Sequence, residues 1–195
     1  LAAEAALKTG AGLVTVGIPR SLNAILEMKL TEIMTRPLPE TEEATIGLEA
    51  LDPILHRQSQ TDVFLVGPGM SQHPSTQSLL KNLLKKIEKP VVIDADGLNM
   101  LKDEDLGGFF RTIKGPIILT PHPGEMASLL GISTREVQAN RLPLAEKAAR
   151  EWGVILILKG AKTIIAAPDG RLYINPTGNP GMATGGSGDV LAGIV

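Results

Sequence analysis

The sequence predicts an α/β layered fold with a mostly parallel central sheet and helices on both faces, on two observations. Short apolar runs recur at residues 13–16, 63–66, 91–93, 117–119 and 154–158. Nearly every position in them is apolar, as in parallel strands buried on both faces. The stretches between them are amphipathic or turn-rich, and strand–helix alternation marks a sheet layered with helices.

In chain order, residues 1–8 read as a helix already under way, and the first strand is expected at 13–16. Helical periodicity covers residues 75–87, 124–130 and 134–152, with Pro143 placed to kink or split the last. Residues 163–167 and 171–174 flank Pro168-Asp169-Gly170 and predict a β-hairpin with an Asp-Gly loop. An apolar helix follows from Asp189 and breaks off at residue 195, about two turns in at roughly 3.6 residues per turn. No repeat or low-complexity linker intervenes, so residues 1–195 are expected to form a single domain. With Leu rather than Met at position 1, and that broken helix at the other end, both edges read as cut from a longer protein.

Composition narrows the function. A hydrophobic share of 43% and a charged share of 21% are those of a globular protein, and no apolar run approaches a membrane span. The net charge of −2 gives no general attraction to nucleic acid or anionic lipid. One Trp, one Tyr and three Phe leave little for base-stacking platforms. The absence of Cys excludes disulfides, thiolate metal sites and a cysteine nucleophile, and fits a reducing cytoplasm.

The chemistry concentrates near the end of the chain, in Thr-Gly-Asn-Pro-Gly-Met-Ala-Thr-Gly-Gly-Ser-Gly-Asp at residues 177–189. Glycines at 185, 186 and 188 allow close backbone approach to a ligand. A helix beginning near Asp189 would aim free N–H groups and a positive dipole end at that ligand, an arrangement suited to a phosphoryl group. Asp189 then stands where a carboxylate could take the proton of an attacking hydroxyl. The same residues also read as a flexible loop with Asp189 as its helix N-cap. The segment lacks the Gly-Lys-Ser/Thr ending of a Walker A loop.

This segment resembles the closing motif of the ribokinase-like superfamily. Val-Gly-Pro-Gly at 66–69, Val-Ile-Asp-Ala-Asp-Gly-Leu-Asn at 92–99, Leu-Thr-Pro-His-Pro-Gly-Glu at 119–125 and Lys-Gly-Ala-Lys-Thr at 159–163 narrow it further. In order and spacing they resemble NAD(P)H-hydrate dehydratases over nearly the whole chain. His122 separates subfamilies, since related vitamin-precursor kinases usually carry Asn where this chain has His122.

The resemblance implies a three-layer ribokinase-like fold and a role for each motif. Asp189 would be the base, and the Gly186, Ser187 and Gly188 amides the anion hole. Lys159, Gly160, Ala161, Lys162 and Thr163, with Gly188 beside them, would lie along the nucleotide, although the stretch also reads as a basic turn in solvent. Gly67, Gly69, His122 and Asp189 would meet the substrate. Alternatively, Gly67 and Gly69 simply end a strand, and His122 bonds to backbone. Asp94, Asp96 and Asn99 end a buried strand, where ionisable groups are expensive without a purpose; Asp96 could instead cap the short helix after Gly97. Glu125 fits either an acid in a helix first turn or a water-mediated holder of Mg²⁺.

The implied reaction is repair of hydrated NADH or NADPH. A phosphoryl group from ADP (or ATP) would convert the C6 hydroxyl into a leaving group, and phosphate would then be eliminated. The resemblance further implies a cytoplasmic homotetramer working alongside an NAD(P)H-hydrate epimerase. Two other readings stay open: a kinase for a small hydroxylated vitamin precursor or sugar, and a catalytically silent nucleotide-binding regulatory domain.

Overall fold

The computed structural model describes residues 1–195. The first half contains α1 (Ala2–Thr9), β1 (Thr15–Pro19), α2 (Asn23–Lys29), β2 (Met34–Leu38), α3 (Leu51–Leu55), β3 (Phe64–Val66), α4 (Pro74–Lys86) and β4 (Val91–Ile93). It continues with α5 (Asp96–Asn99), α6 (Leu106–Phe110), β5 (Ile117–Leu119), α7 (Pro123–Leu130), α8 (Thr134–Ala139) and α9 (Arg141–Trp152). The last elements are β6 (Ile155–Leu158), β7 (Ile164–Ala166), β8 (Leu172–Ile174) and α10 (Ser187–Ile194).

β3 to β8 form one six-stranded sheet in sequence order. The pairs from β3 to β6 are parallel, and β7 and β8 add antiparallel edge strands. The mostly parallel α/β reading therefore holds. The expected hairpin is β7–β8, closed by the Ala167 N–H donating to Arg171 O at 2.9 Å, with Gly170 at φ 89°.

The main core of 28 buried residues joins one face of this sheet to α4–α9. On α9, Ala145, Ala148, Ala149 and Trp152 recur at helical spacing and meet Leu156 and Leu158 of β6 in that core. Strand residues alternate between faces, and Val92 and Ile157, which point the other way, are buried as well. No helix is long and apolar enough to cross a membrane.

Three expectations shift. The first strand occupies Thr15–Pro19 rather than 13–16, with Leu13 exposed, and it pairs in parallel with β2, which sequence reading passed over. β1 and β2 form their own two-stranded sheet, where Pro19 and Pro37 are tolerated because pairing is one-sided. The helical pattern over 134–152 is split at Asn140, and Pro143 falls in the first turn of α9, where its missing N–H is harmless.

α10 packs on α1. A Cβ on Gly193 would sit 2.0 Å from the Ala2 carbonyl oxygen, so only glycine lets these two helices approach so closely.

Candidate functional site

The parallel strands end at a common edge, and most of the chemical motifs begin there. Gly67, Asp94, Thr120 and Lys159 each follow the last residue of β3, β4, β5 and β6. The backbone stays paired past those ends: Asp94 N–H donates to Val66 O, Thr120 N–H to Ile93 O, and Lys159 N–H to Pro121 O. In open α/β sheets, ligands gather at this carboxyl edge.

Four side chains converge there. The Lys159 ammonium donates to Asp94 Oδ1 at 2.7 Å and lies 3.7 Å from Glu125 Oε2. Asp94 is 1% exposed and Glu125 7%, and burial of these acids is offset by the shared Lys159 ammonium and, at Glu125, by the His122 N–H. Glu125 in turn accepts from the His122 N–H at 2.7 Å, and its Oε1 lies 3.4 Å from His122 Nε2. Gly188 closes the cluster, since a Cβ built on it would lie 3.5 Å from Lys159 Nζ and 3.9 Å from Asp94 Oδ2.

Above this cluster, α10 opens at Gly186, the N-cap, with φ 86°. Ser187 begins the helix and Asp189 is its third residue, in the first turn. Reading Asp189 as the N-cap is therefore corrected: glycine fills the left-handed cap position, and no side chain bonds to the cap. The Asp189 carboxylate has no hydrogen-bond or ion-pair partner within the chain. The amides of Gly186, Gly188 and Asp189 likewise have no acceptor, whereas Ser187 N–H reaches Thr184 O at 3.3 Å. Free amides at a positive helix end, a lysine beneath and a carboxylate alongside suit an anion that must lose or gain a proton.

The remaining predicted residues have definite places. His122 caps α7, its Nδ1 accepting from Gly124 N–H at 3.0 Å and Glu125 N–H at 3.2 Å, while Glu125 completes a capping box. The backbone-bonded reading of His122 is thus realised at Nδ1, and the half-exposed ring leaves Nε2 toward the edge of the site. Asp96 is not a cap: it is the first residue of α5, and its Oδ2 accepts from Ser71 N–H at 2.9 Å, tying α5 to the loop after β3.

Gly67, at φ 119°, presses on that junction, and a Cβ there would fall 1.8 Å from Asp94 O. Gly69 instead lines a cleft of about 230 Å³ with Val16, Ile18, Ile46 and Met70. Asn99 makes no side-chain hydrogen bond and is not drawn into the cluster. Gly160, Ala161 and Lys162 form an exposed turn, with Lys162 at φ 57°. Thr163 Oγ1 closes this turn by donating to Gly160 O at 3.0 Å.

Arg141 was not anticipated. Its guanidinium donates to the carbonyls of Ala161 (2.6 Å), Leu158 (3.1 Å) and Lys159 (3.2 Å), and so fixes the 159–163 turn from α9. Burial pushes its pKa below the ordinary value. An Arg opening a helix otherwise reads as solvated, so only the tertiary fold reveals this role.

The carboxylates do not form a magnesium site as arranged. No group of three or more His, Cys, Asp or Glu side chains could hold a metal. Asp94 and Glu125, the two acids that come together, already share the Lys159 cation, and Glu125 Oε2 is also held by an amide.

A parallel sheet whose carboxyl edge faces a glycine turn and a helix start is common to several phosphate-binding folds, and superposition on a solved structure identifies this one as ribokinase-like. A ribokinase-like superfamily protein of Enterococcus faecalis superimposes with a TM-score of 0.80 at 28% identity, covering 99% of this chain and 63% of that one. The sequence model of the NAD(P)H-hydrate dehydratase family matches residues 1–195, and the chain belongs to that family. A bifunctional NAD(P)H-hydrate repair enzyme of Moorella thermoacetica is 55% identical over 195 residues, covering 100% of this chain and 36% of that protein. An ADP-dependent (S)-NAD(P)H-hydrate dehydratase of Neisseria meningitidis is 38% identical over 197 residues, covering 100% of this chain and 62% of that protein. The ADP/ATP-dependent NAD(P)H-hydrate dehydratase of Bacillus subtilis, co-crystallised with ATP and Mg²⁺, superimposes with a TM-score of 0.77 at 29% identity. It matches over 98% of this chain and 65% of its own. The chain thus spans just over a third of the first relative and less than two thirds of the others named.

Proposed function

We propose that this chain carries the dehydratase active site and uses ADP to repair hydrated NADH and NADPH. The observation that supports this most is Asp189, an unpartnered carboxylate in the first turn of α10, with Lys159 beneath the adjoining Gly188. The Asp189 carboxylate accepts the proton of the substrate's C6 hydroxyl. The freed oxygen attacks the terminal phosphorus of ADP, the bond from phosphorus to the bridging oxygen breaks, and AMP leaves. The free amides of Gly186 and Gly188 take up the charge on the phosphoryl oxygens in flight, and Ser187 N–H joins them by giving up its long bond to Thr184 O; such transfer depends chiefly on positioning and charge stabilisation.

The ring nitrogen then pushes its electron pair toward C6, and the C6–O bond breaks with release of phosphate. Loss of the C5 proton restores the dihydropyridine. The balance is hydrated cofactor plus ADP giving reduced cofactor, AMP and phosphate. Gly69 leaves room for the dinucleotide, Gly67 meets it through its backbone, His122 offers Nε2 to it, and residues 159–163 line the nucleotide.

Asp94 and Asp96 support this edge rather than touch the reacting atoms, and Asn99 has no part in the reaction. Magnesium, implied by the family, has no carboxylate site of its own here, and no step is routed through it. Assembly as a cytoplasmic homotetramer, with an epimerase supplying the correct hydrate, extends the family reading; the bifunctional naming of relatives such as that of Moorella supports the epimerase link.

The deciding experiment supplies hydrated NADH with ADP or ATP and analyses products. Return of the reduced-ring absorbance with stoichiometric AMP is expected. Accumulation of a stable phosphorylated alcohol would establish a kinase, and binding without turnover a silent domain.

A further inference from the structure

We propose that Lys159 is the resident cation of this site, held by Asp94 and Glu125 in the place that a carboxylate-bound divalent ion would otherwise fill. The proposal rests on reading the Gly186–Asp189 turn as the phosphoryl site, and it adds how that site is charged. Two nearly buried carboxylates at the edge of a parallel sheet would ordinarily attract a hard cation through their oxygens. Here the ammonium already occupies that position, 2.7 Å from Asp94 Oδ1 and 3.7 Å from Glu125 Oε2. An ion binding between these acids would have to contact the same oxygens, so lysine and metal exclude each other.

The seat is rigid. Asp94 N–H donates to Val66 O at 3.1 Å, and Asp94 O accepts from Gly97 N–H at 3.0 Å, which fixes the backbone that carries this carboxylate. Glu125 is fixed by the capping box of α7. The lysine stem starts at the end of β6, pinned where Arg141 holds the Leu158 and Lys159 carbonyls. An ammonium so held stays aimed at Gly188, where a Cβ would come within 3.5 Å of Nζ. Lys159 therefore presents fixed positive charge to the phosphates, and Asp94 is a positioning residue that acts through it. The metal of the reaction, on this account, belongs to the nucleotide and not to the protein.

The test titrates the protein with Mn²⁺ alone, followed by loss of the free-ion electron paramagnetic resonance signal, with no nucleotide present. Wild-type protein is expected to show no stoichiometric site. Lys159→Met should gain one Mn²⁺ per chain, and the double variant Lys159→Met/Asp94→Asn should lose it again. Calorimetry with AMP provides the second readout: Lys159→Met should bind AMP about tenfold more weakly, and Mn²⁺ should restore binding in that variant only.

A stoichiometric Mn²⁺ site in wild-type protein that disappears in Asp94→Asn would overturn the proposal. So would a folded Lys159→Met protein that gains no ion, or one that binds AMP as wild type does. If Lys159→Met does not fold, Lys159→Ala, which leaves both carboxylates open, carries the same comparisons. Failure of wild-type protein to bind AMP would overturn the functional reading alone, because the Mn²⁺ titrations require no nucleotide.

Discussion

His122 and Glu125 cap each other at the start of α7: the histidine's Nδ1 accepts from the Glu125 N–H, while the glutamate's Oε2 accepts from the His122 N–H. With Nδ1 committed as an acceptor, the proton of the neutral ring sits on Nε2. His122→Ala removes the side-chain cap and is expected to lower stability by about 1 kcal/mol. His122→Asn keeps a capping side chain and should unfold close to wild type. Both should bind the hydrated dinucleotide more weakly if Nε2 meets it. Thermal unfolding read beside substrate binding separates the two roles, and a fully binding, fully active Asn variant would reduce His122 to a cap.

Asp189→Asn should keep the fold and AMP affinity and lose turnover. Asp189 lies at the third position of α10 and bonds to no group in the chain. Its structural contribution is the dipole term, about 0.3–1 kcal/mol. A general base typically contributes ~10²–10⁴-fold in rate, so a fall in kcat of that order is expected. A folded Asp189→Asn protein with wild-type kcat would remove the residue from the mechanism.

AMP should slow amide hydrogen exchange in residues 159–163. Arg141 supports that turn through three carbonyls, and Arg141→Met should weaken AMP binding while leaving the hydrated dinucleotide's affinity nearly unchanged. Protection confined instead to residues 63–69 would mean that nucleotide and substrate exchange places.

Gly67→Ala is expected to destabilise the protein by about 1–3 kcal/mol, as overpacking does. The added methyl group meets the Asp94 carbonyl, and the φ of 119° disfavours any side chain. Denaturant unfolding measures it, and a neutral result would mean that this junction shifts freely. Gly69→Ala meets nothing within 4 Å and differs only by its φ of 68°, so it should be milder.

The central strands were legible because β3 to β6 bury continuous apolar runs, a signal that local reading detects. β2 was not, because Met34-Thr35-Arg36-Pro37-Leu38 is largely exposed and mixes polar residues with proline. β1 slid toward its glycine and proline for a related reason: its register follows pairing with β2, not the apolar run that includes exposed Leu13. At the site, the motifs announced Asp189, His122 and Lys159 individually. The bonds among them were hidden, since the Lys159–Asp94 pair joins residues 65 apart in sequence. Arg141 stayed hidden for the same reason, because the carbonyls it holds lie 17 to 20 residues away.

The glycine contact between α10 and α1 bears on when the site comes into being. Gly193 rests against the Ala2 carbonyl, so the helix carrying Asp189 is seated by a neighbour almost the whole chain away. Closing so long a loop yields no reward until both helices are formed. The sheet and its lysine seat draw on contacts nearer in sequence and can form earlier. The charged cradle is therefore expected to fold first and the proton acceptor to join it late, an order that pulsed hydrogen exchange would read as slow protection of residues 187–194.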